Sequence, residues 1–296
     1  MPGTLFVCAT PIGNLGDITL RALETLKTAD LIAAEDTRTT HKLLNHFDIK
    51  TPCTSYHKHN EKSKGNFLVG QLLEGKNIAL VSDAGTPGIS DPGSIVIAGA
   101  LEAGINVVSV PGPSAVIAAL VVSGLSIERF VFEGFLSRNS KQRKAVLITM
   151  VNEPRSLIFY EAPHRMEETL KALLETLGDR RMAIVRELTK KFEEVLRGTI
   201  SEMIEMFKAG HETRGEYVLI VEGCPEAEQE ERTDGWKYLS LVDHIKELMA
   251  EGQSKKEAVK LAAQLRKLPK RDVYNFVEKL DLDTEQMDLD TEQSLE

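Results

Sequence analysis

The chain has 296 residues, 45 of them acidic and 36 basic, and its net charge of −9 excludes nucleic-acid binding by bulk positive charge. Hydrophobic residues make up 42% and aromatics only 5%, the balance of an α/β protein with an aliphatic core. No apolar run reaches the roughly eighteen residues that span a bilayer. The 3 cysteines are odd in number and outside any CxxC, and the N-terminus enters a strand at once, so the reading is a cytoplasmic protein without signal peptide or zinc.

In chain order, Leu5 to Ala9 reads as a strand, Thr19 to Ala29 as an amphipathic helix, and Leu31 to Ala34 as a short strand ending at Glu35-Asp36. Thr40 to Phe47 is predicted helical, Ser55 to Gly65 a polar loop, and Phe67 to Leu73 a helix. The apolar run Ile78 to Val81 then opens into VSDAGTPGISDPG, with Gly85, Gly88, Gly93, Pro87 and Pro92 close together. Glycine lets backbone approach a ligand and proline stiffens the loop. Two similar loops, ATPIGNLGD (Ala9 to Asp17) and VPGPSA (Val110 to Ala115), also follow apolar runs. Helix Ser94 to Ala103 and strand Asn106 to Val110 complete a βαβα alternation that predicts a mostly parallel sheet, whose ligand edge is the carboxyl end of its strands.

Val116 to Leu120 reads as a joining helix. Phe130 to Phe132, Ser156 to Tyr160, Arg181 to Arg186 and Glu216 to Val221 are predicted strands of a second α/β layer, with Met166 to Leu177 a helix. The domain reading is therefore 1–115 and 116–224, a charged linker over 225–234, and a helical unit over 235–280. Leu239 to Met249, Ser254 to Leu265 and Arg271 to Leu280 form three amphipathic helices in that unit. Ten cations there, from Lys237 to Lys279, face six acids, a balance suited to RNA or ribosome docking. Residues 281–296 repeat DLDTEQ, hold seven acids and no cation, and read as a disordered acidic tail.

The strings ATPIGNLGDITLRA, AEDTRTTHKLL, SYHKHNE, VSDAGTPGISDPG, VPGPSA, EGFLSR, YEAPHR and RELTKKFEE run in order from Ala9 to Glu194. Together they resemble the tetrapyrrole-methylase superfamily and, within it, the ribosomal RNA small-subunit methyltransferase I group. The resemblance implies two α/β domains around a deep cleft, S-adenosylmethionine as cofactor, and a homodimer. The implied reaction is methylation of the ribose 2′-oxygen of a cytidine in the decoding region of 16S rRNA. Relatives acting on porphyrins or corrins carry a GxGPG-like first loop. Thr10-Pro11-Ile12-Gly13-Asn14 stands there instead, which weighs against the alternative of a tetrapyrrole or other small-molecule methylase. A non-catalytic RNA-binding protein is the third reading, and the three intact loops disfavour it.

By the resemblance, Asp83, Gly85, Thr86, Pro87, Ser90 and Asp91 line the cofactor, Pro11, Gly13, Ser114 and Ala115 close the pocket, and Tyr160 and Glu161 add contacts. Asp91 and Ser114 also read as helix N-caps. A ribose hydroxyl is a poor nucleophile and needs a proton acceptor. Glu35, Asp36, Glu161 and Glu187, each at a predicted strand end, are the candidates, with His164 another. The competing reading makes each an ion-pair partner: Asp36 with Arg38, Glu161 with Arg165, Glu187 with Lys190. Arg38, Arg165, Arg186 and Lys190 are natural phosphate contacts. The loop cations Arg138, Lys141, Arg143 and Lys144, with Lys58, Lys62 and Lys64, would add RNA affinity. His57 and His59 lack the further ligands of a metal shell.

Overall fold

A computed structural model of the chain describes residues 1–225 and 239–277, apart from 251, 267 and 275. Contacts divide it into two compact units, Met1–Cys224 and Pro225–Glu296.

The first unit contains two five-stranded sheets. In the first, β1 (Thr4–Cys8), β2 (Leu31–Ala34), β3 (Cys53–Ser55), β4 (Ile78–Val81) and β5 (Asn106–Val110) lie in the order β3-β2-β4-β1-β5, and every pair is parallel. Helices α1 (Leu20–Thr28), α2 (Thr37–His46), α3 (Glu61–Leu73) and α4 (Ser94–Glu102) connect them. Parallel strands are covered on both faces and so read as unbroken apolar runs. All four residues of β4 are buried. Alternate side chains feed two cores: Ala79 and Val81 join Leu26 and Leu44, whereas Ile78 and Leu80 join Leu68 and Leu72.

Helix α5 (Ala115–Ser123) leads to the second sheet of β6 (Phe130–Phe135), β7 (Ser156–Glu161), β8 (Arg181–Arg186), β9 (Glu194–Thr199) and β10 (Tyr217–Val221), ordered β6-β7-β10-β8-β9. The β6/β7 pair is parallel and the rest are antiparallel. One face packs on α6 (Ser140–Thr149), α7 (Met166–Leu177) and α8 (Ile200–Lys208) through Leu147, Leu170 and Phe207. The other takes Val116, Ala119 and Leu120 of α5 against Ile158, Val185 and Ile220.

Five elements depart from the sequence reading. Strands β3 and β9 and helices α6 and α8 were not anticipated, and α3 begins inside the expected Ser55 to Gly65 loop, at Glu61. Asn139 starts α6 by accepting the Gln142 N–H at 3.1 Å; four polar residues in the opening stretch Ser140 to Arg143 hide its buried Leu147. Helix α8 opens on a capping box between Thr199 and Glu202, a spacing legible in the sequence.

In the second unit, α9 (Leu241–Ala250) and α10 (Lys255–Leu265) pack through Ile245, Leu248, Ala258, Val259 and Ala262, and residues 270–274 are helical. Most of the expected linker, Lys237, Glu251, Lys267, residues 278–280 and the acidic tail lie outside the described residues. Among the described residues, no helix is long and apolar enough to cross a membrane.

Phe159, fully buried in β7, tests the second core. Phe159→Ala should lower stability by about 3–5 kcal/mol, measured by urea unfolding of the full chain.

Candidate active site

The carboxyl edge of the first sheet is built by loops that hold each other. Thr10, beyond β1, and Gly85, beyond β4, exchange both backbone hydrogen bonds, at 2.9 and 3.1 Å. The Thr10 hydroxyl donates to the Ser82 carbonyl at 3.1 Å. Gly85 takes φ +78° and Ser90 φ +62°; the second is uncommon for a residue with a side chain and clusters at functional sites elsewhere.

This edge and the second sheet enclose a cavity of about 310 Å³. Eight of the expected cofactor residues line it: Gly85, Thr86, Ser90, Asp91, Ser114, Ala115, Tyr160 and Glu161. Pro11, Gly13, Asp83 and Pro87 are not on its wall, although Ile12 of the same turn is. Asp83 instead accepts the Asp36 N–H at 3.0 Å, tying the end of β2 to that of β4. Gly13 faces Lys190: a Cβ there would lie 2.5 Å from Lys190 Cγ. Neither expected cap forms. The N-cap of α4 is Gly93 rather than Asp91, and Ser114, though at the N-cap of α5, makes no capping hydrogen bond.

The sequence reading missed the far wall, where Phe135, Pro163, Val185, Leu188, Gly215, Glu216 and Tyr217 face the cavity. Tyr160 stands 4.9 Å from Phe132 and 5.5 Å from Phe135, ring centre to ring centre. Burial, reinforced by the Asp91 charge, pushes its phenol up to about 12. The position of Gly215 at the entry to β10 was the available signal.

The candidate bases separate by their partners. Asp36 pairs with Arg38 at 2.7 Å, and hydrogen bonds from Arg38 lower its carboxyl to about 2. Glu161, 2% exposed, accepts from Thr169 Oγ1 at 2.5 Å and the Ala162 N–H at 2.8 Å, and pairs with Arg165 at 3.4 Å. Glu187 accepts from Lys190 Nζ at 2.9 Å and the Glu216 N–H at 3.0 Å; burial opposes, but these donors hold its carboxyl below the usual range. All three ion pairs of the competing reading are therefore made. Glu35 differs: burial, then the Asp91 and Asp83 charges, raise its carboxyl. Burial also raises Asp83 and Asp91.

Two expected phosphate contacts, Arg165 and Arg186, and one expected loop cation, Arg143, are buried instead. Arg143 lies on α6, not in a loop, and is 4% exposed against Glu168 at 2.6 Å. Arg165 donates to the Leu136 carbonyl at 2.8 Å. Arg186 pairs with Glu212 at 3.1 Å and Glu194 at 3.6 Å. A desolvated guanidinium needs such acceptors and cannot also reach a polyanion. Lys190 bridges Glu187 and Glu216, 2.9 Å from each. Arg38, Arg138, Lys141, Lys144 and His164 are exposed. The His57 and His59 rings are 6.0 Å apart, and among the described residues no group of three or more His, Cys, Asp or Glu could hold a metal.

Asp91 charged within a half-buried wall costs stability. Its folded pKa is raised, so the proton it binds stabilises the fold below the unfolded pKa, and that stabilisation is lost as pH rises through the folded value. Asp91→Asn should therefore raise the melting temperature by a few degrees at pH 8 and by less at pH 4, read by calorimetry of the ligand-free protein.

Residues 4–204 match the family model of Tetrapyrrole (Corrin/Porphyrin) Methylases. A protein of Halalkalibacterium halodurans named Ribosomal RNA small subunit methyltransferase I is 50% identical over 273 residues, covering 92% of this chain and 94% of that protein. The protein of that name in Bacillus subtilis is 48% identical over 273 residues, covering 92% and 93%. Among solved structures, cobalt precorrin-4 methyltransferase matches with TM-score 0.56 at 16% identity, over 74% of this chain and 94% of that one. The uroporphyrin-III C-methyltransferase of Thermus thermophilus complexed with S-adenosylhomocysteine gives 0.54 at 19%, over 74% and 97%. These two likenesses establish the fold. On the family match and the near full-length identities, the chain belongs to the tetrapyrrole methylases and, among them, to the ribosomal RNA small subunit methyltransferase I family.

Proposed function

We propose that the chain transfers a methyl group from S-adenosylmethionine to the ribose 2′-oxygen of a cytidine in the decoding region of 16S rRNA. It acts on the small ribosomal subunit in the cytoplasm, as a homodimer. The observation that carries this reading is the identity of 44–50%, over at least 92% of the chain, to relatives named for that ribosomal RNA.

The cavity fits the cofactor. Its volume of about 310 Å³ is in the range of small-molecule sites, and such sites are mainly apolar with a few placed polar groups. Ile12, Val185 and Leu188 supply apolar wall, and Asp91, Ser90, Thr86 and Ser114 the polar groups. S-adenosylmethionine supplies a methyl already activated on a sulfonium. The protein's part is then alignment, exclusion of water and acceptance of one proton. In this reading Gly85, Thr86, Ser90, Asp91, Ser114, Ala115, Tyr160 and Glu161 hold the cofactor. Pro11, Gly13, Asp83 and Pro87 support the loops behind them.

Glu35, which sits just beyond β2 and does not line the cavity, is the proposed proton acceptor. Asp36, Glu161 and Glu187 each have a cationic partner within 3.4 Å, so their carboxylates are already engaged. A carboxylate whose pKa is raised, as that of Glu35 is, is a stronger base. Arg38, Arg138 and Lys144 provide exposed cations for phosphate, and the basic helical unit provides more.

Labelled cofactor incubated with small subunits lacking the modification should place label on a 2′-O-methylcytidine; label on a base, or none, would overturn the reading. Glu35→Gln should lower kcat by about 10²-fold or more while leaving S-adenosylhomocysteine affinity within about twofold. The acid limb of the wild-type rate profile should lie above the ordinary glutamate value and vanish in the variant. An unaltered kcat removes Glu35 from the chemistry.

A chain ending at residue 225 retains all four cores of the first unit. It should keep cofactor affinity but bind small subunits more weakly and with a shallower salt dependence. Filter binding between 50 and 200 mM salt, on the order of the range where such slopes are read, checks this; an unchanged slope counts against the docking role.

A further inference from the structure

The string SYHKHNE, which runs from Ser55 to Glu61, has no place in the chemistry above. No residue of it lies on the cavity wall, yet its side chains are used with unusual economy. Asn60 is the N-cap of α3 but makes no capping bond. Its amide oxygen turns back to the His57 N–H at 2.8 Å, and its own N–H donates to the His57 carbonyl at 2.8 Å. The tight turn so formed sends Tyr56 inward and Glu61 toward α4.

Helix α4 begins where the cavity loop ends. Its N-cap is Gly93, with φ +154°. A Cβ at Gly93 would lie 3.0 Å from Gly88 N and 3.2 Å from Gly88 Cα, so no residue with a capping side chain fits there. The first N–H groups of a helix need acceptors from outside it. Two come from the SYHKHNE turn: Glu61 Oε1 accepts the Gly93 N–H at 3.1 Å, and the Tyr56 hydroxyl accepts the Val96 N–H at 3.2 Å. Tyr56 is 1% exposed. Burial, with help from the Glu61 carboxylate and against the Val96 N–H, pushes its phenol up to about 12, so it stays neutral and can accept.

We propose that Tyr56 and Glu61 are positioning residues for the cavity: they cap α4 from just beyond β3 and from the start of α3, and so fix the Gly85 to Gly93 loop, with Ser90 and Asp91, in its binding form. The proposal rests on the reading of the cavity as the S-adenosylmethionine site. It explains why a motif with no wall contact is spaced as it is. Tyrosine reaches through the core, asparagine closes the turn, and glutamate follows at once to meet a glycine 32 residues away.

Calorimetric titration of the full chain with S-adenosylhomocysteine tests this, at a temperature where circular dichroism shows every variant folded. Glu61→Ala and Tyr56→Phe should each weaken binding about tenfold, the effect of losing a charge-assisted or buried hydrogen bond. Glu61→Gln should bind within about twofold of wild type, because its amide oxygen still accepts the Gly93 N–H. That rescue separates positioning from a general loss of stability. Wild-type affinity in both Glu61→Ala and Tyr56→Phe would overturn the proposal, as would a Glu61→Gln protein as weak as Glu61→Ala. Should Tyr56→Phe fail to fold, the half-buried Glu61 pair decides alone. Wild-type protein that does not bind S-adenosylhomocysteine overturns the cofactor reading of the cavity itself, and this proposal with it.

Discussion

The reciprocal pair of hydrogen bonds between Thr10 and Gly85 is the constraint on which the rest of the site depends. Strands β1 and β4 are neighbours, paired from Leu5–Ile78 onward, and their loops would otherwise diverge beyond the sheet. One antiparallel bridge across a parallel edge keeps them together, and it requires the left-handed backbone that Gly85 adopts at φ +78°. With the bridge in place, Ile12 and Thr86 reach the same cavity from different strands. Buried apolar layers on both faces of β4 hold the strand ends rigidly enough for that arrangement to persist.

Charge is distributed to opposite purposes in the two sheets. In the second, Arg143, Arg165 and Arg186 are buried but matched by Glu168, Glu161 and Glu212, and each also donates to backbone carbonyls. Removing one partner from such a set leaves a desolvated charge, so these pairs register the helices and strands they join. At the carboxyl edge of the first sheet the pattern inverts. Burial raises the pKa of Glu35, Asp83 and Asp91; the Asp91 and Asp83 charges add to the rise at Glu35, the Asp36 charge to that at Asp83, and the Asp83 charge to that at Asp91. Carboxylates gathered in a half-buried edge destabilise a fold, and perturbed groups of this kind concentrate at functional sites.

The parallel sheet was legible in the sequence because its strands are buried on both faces, which leaves an unbroken aliphatic signature such as Ile78 to Val81. Six wall residues, Gly85, Thr86, Ser90, Asp91, Ser114 and Ala115, were legible in glycine and proline loops after strands, and Tyr160 and Glu161, on β7, only through the family resemblance. What escaped was whatever depends on partners distant in the chain. Strand β9 is an edge strand of half-exposed residues, whose pattern resembles a polar loop. Arg186 cannot be distinguished from an exposed phosphate contact until Glu212, on another element, is seen beside it. Asp83 fits a ligand contact equally well until the Asp36 N–H is found on its carboxylate. On the far wall, Val185 and Val218 escaped because they lie within strands and read as ordinary core.

Gly13 shows how two remote motifs form a single device. A glycine in a loop after the first strand invites the interpretation that backbone must approach a ligand, but the space beside its Cα is filled by the Lys190 stem and Thr189 Oγ1. Thr189 and Glu187 hold left-handed φ values of 67° and 48°, and the Lys190 ammonium is fixed by two carboxylates. Gly215 is likewise closed to a side chain, since a Cβ there would lie 2.5 Å from Glu187. The TPIG turn of the first sheet and the RELTK turn of the second thus meet over the cavity, where Ile12, Leu188 and Gly215 are all on its wall. Their glycines make room for protein against protein, and the cavity's shape follows from that contact.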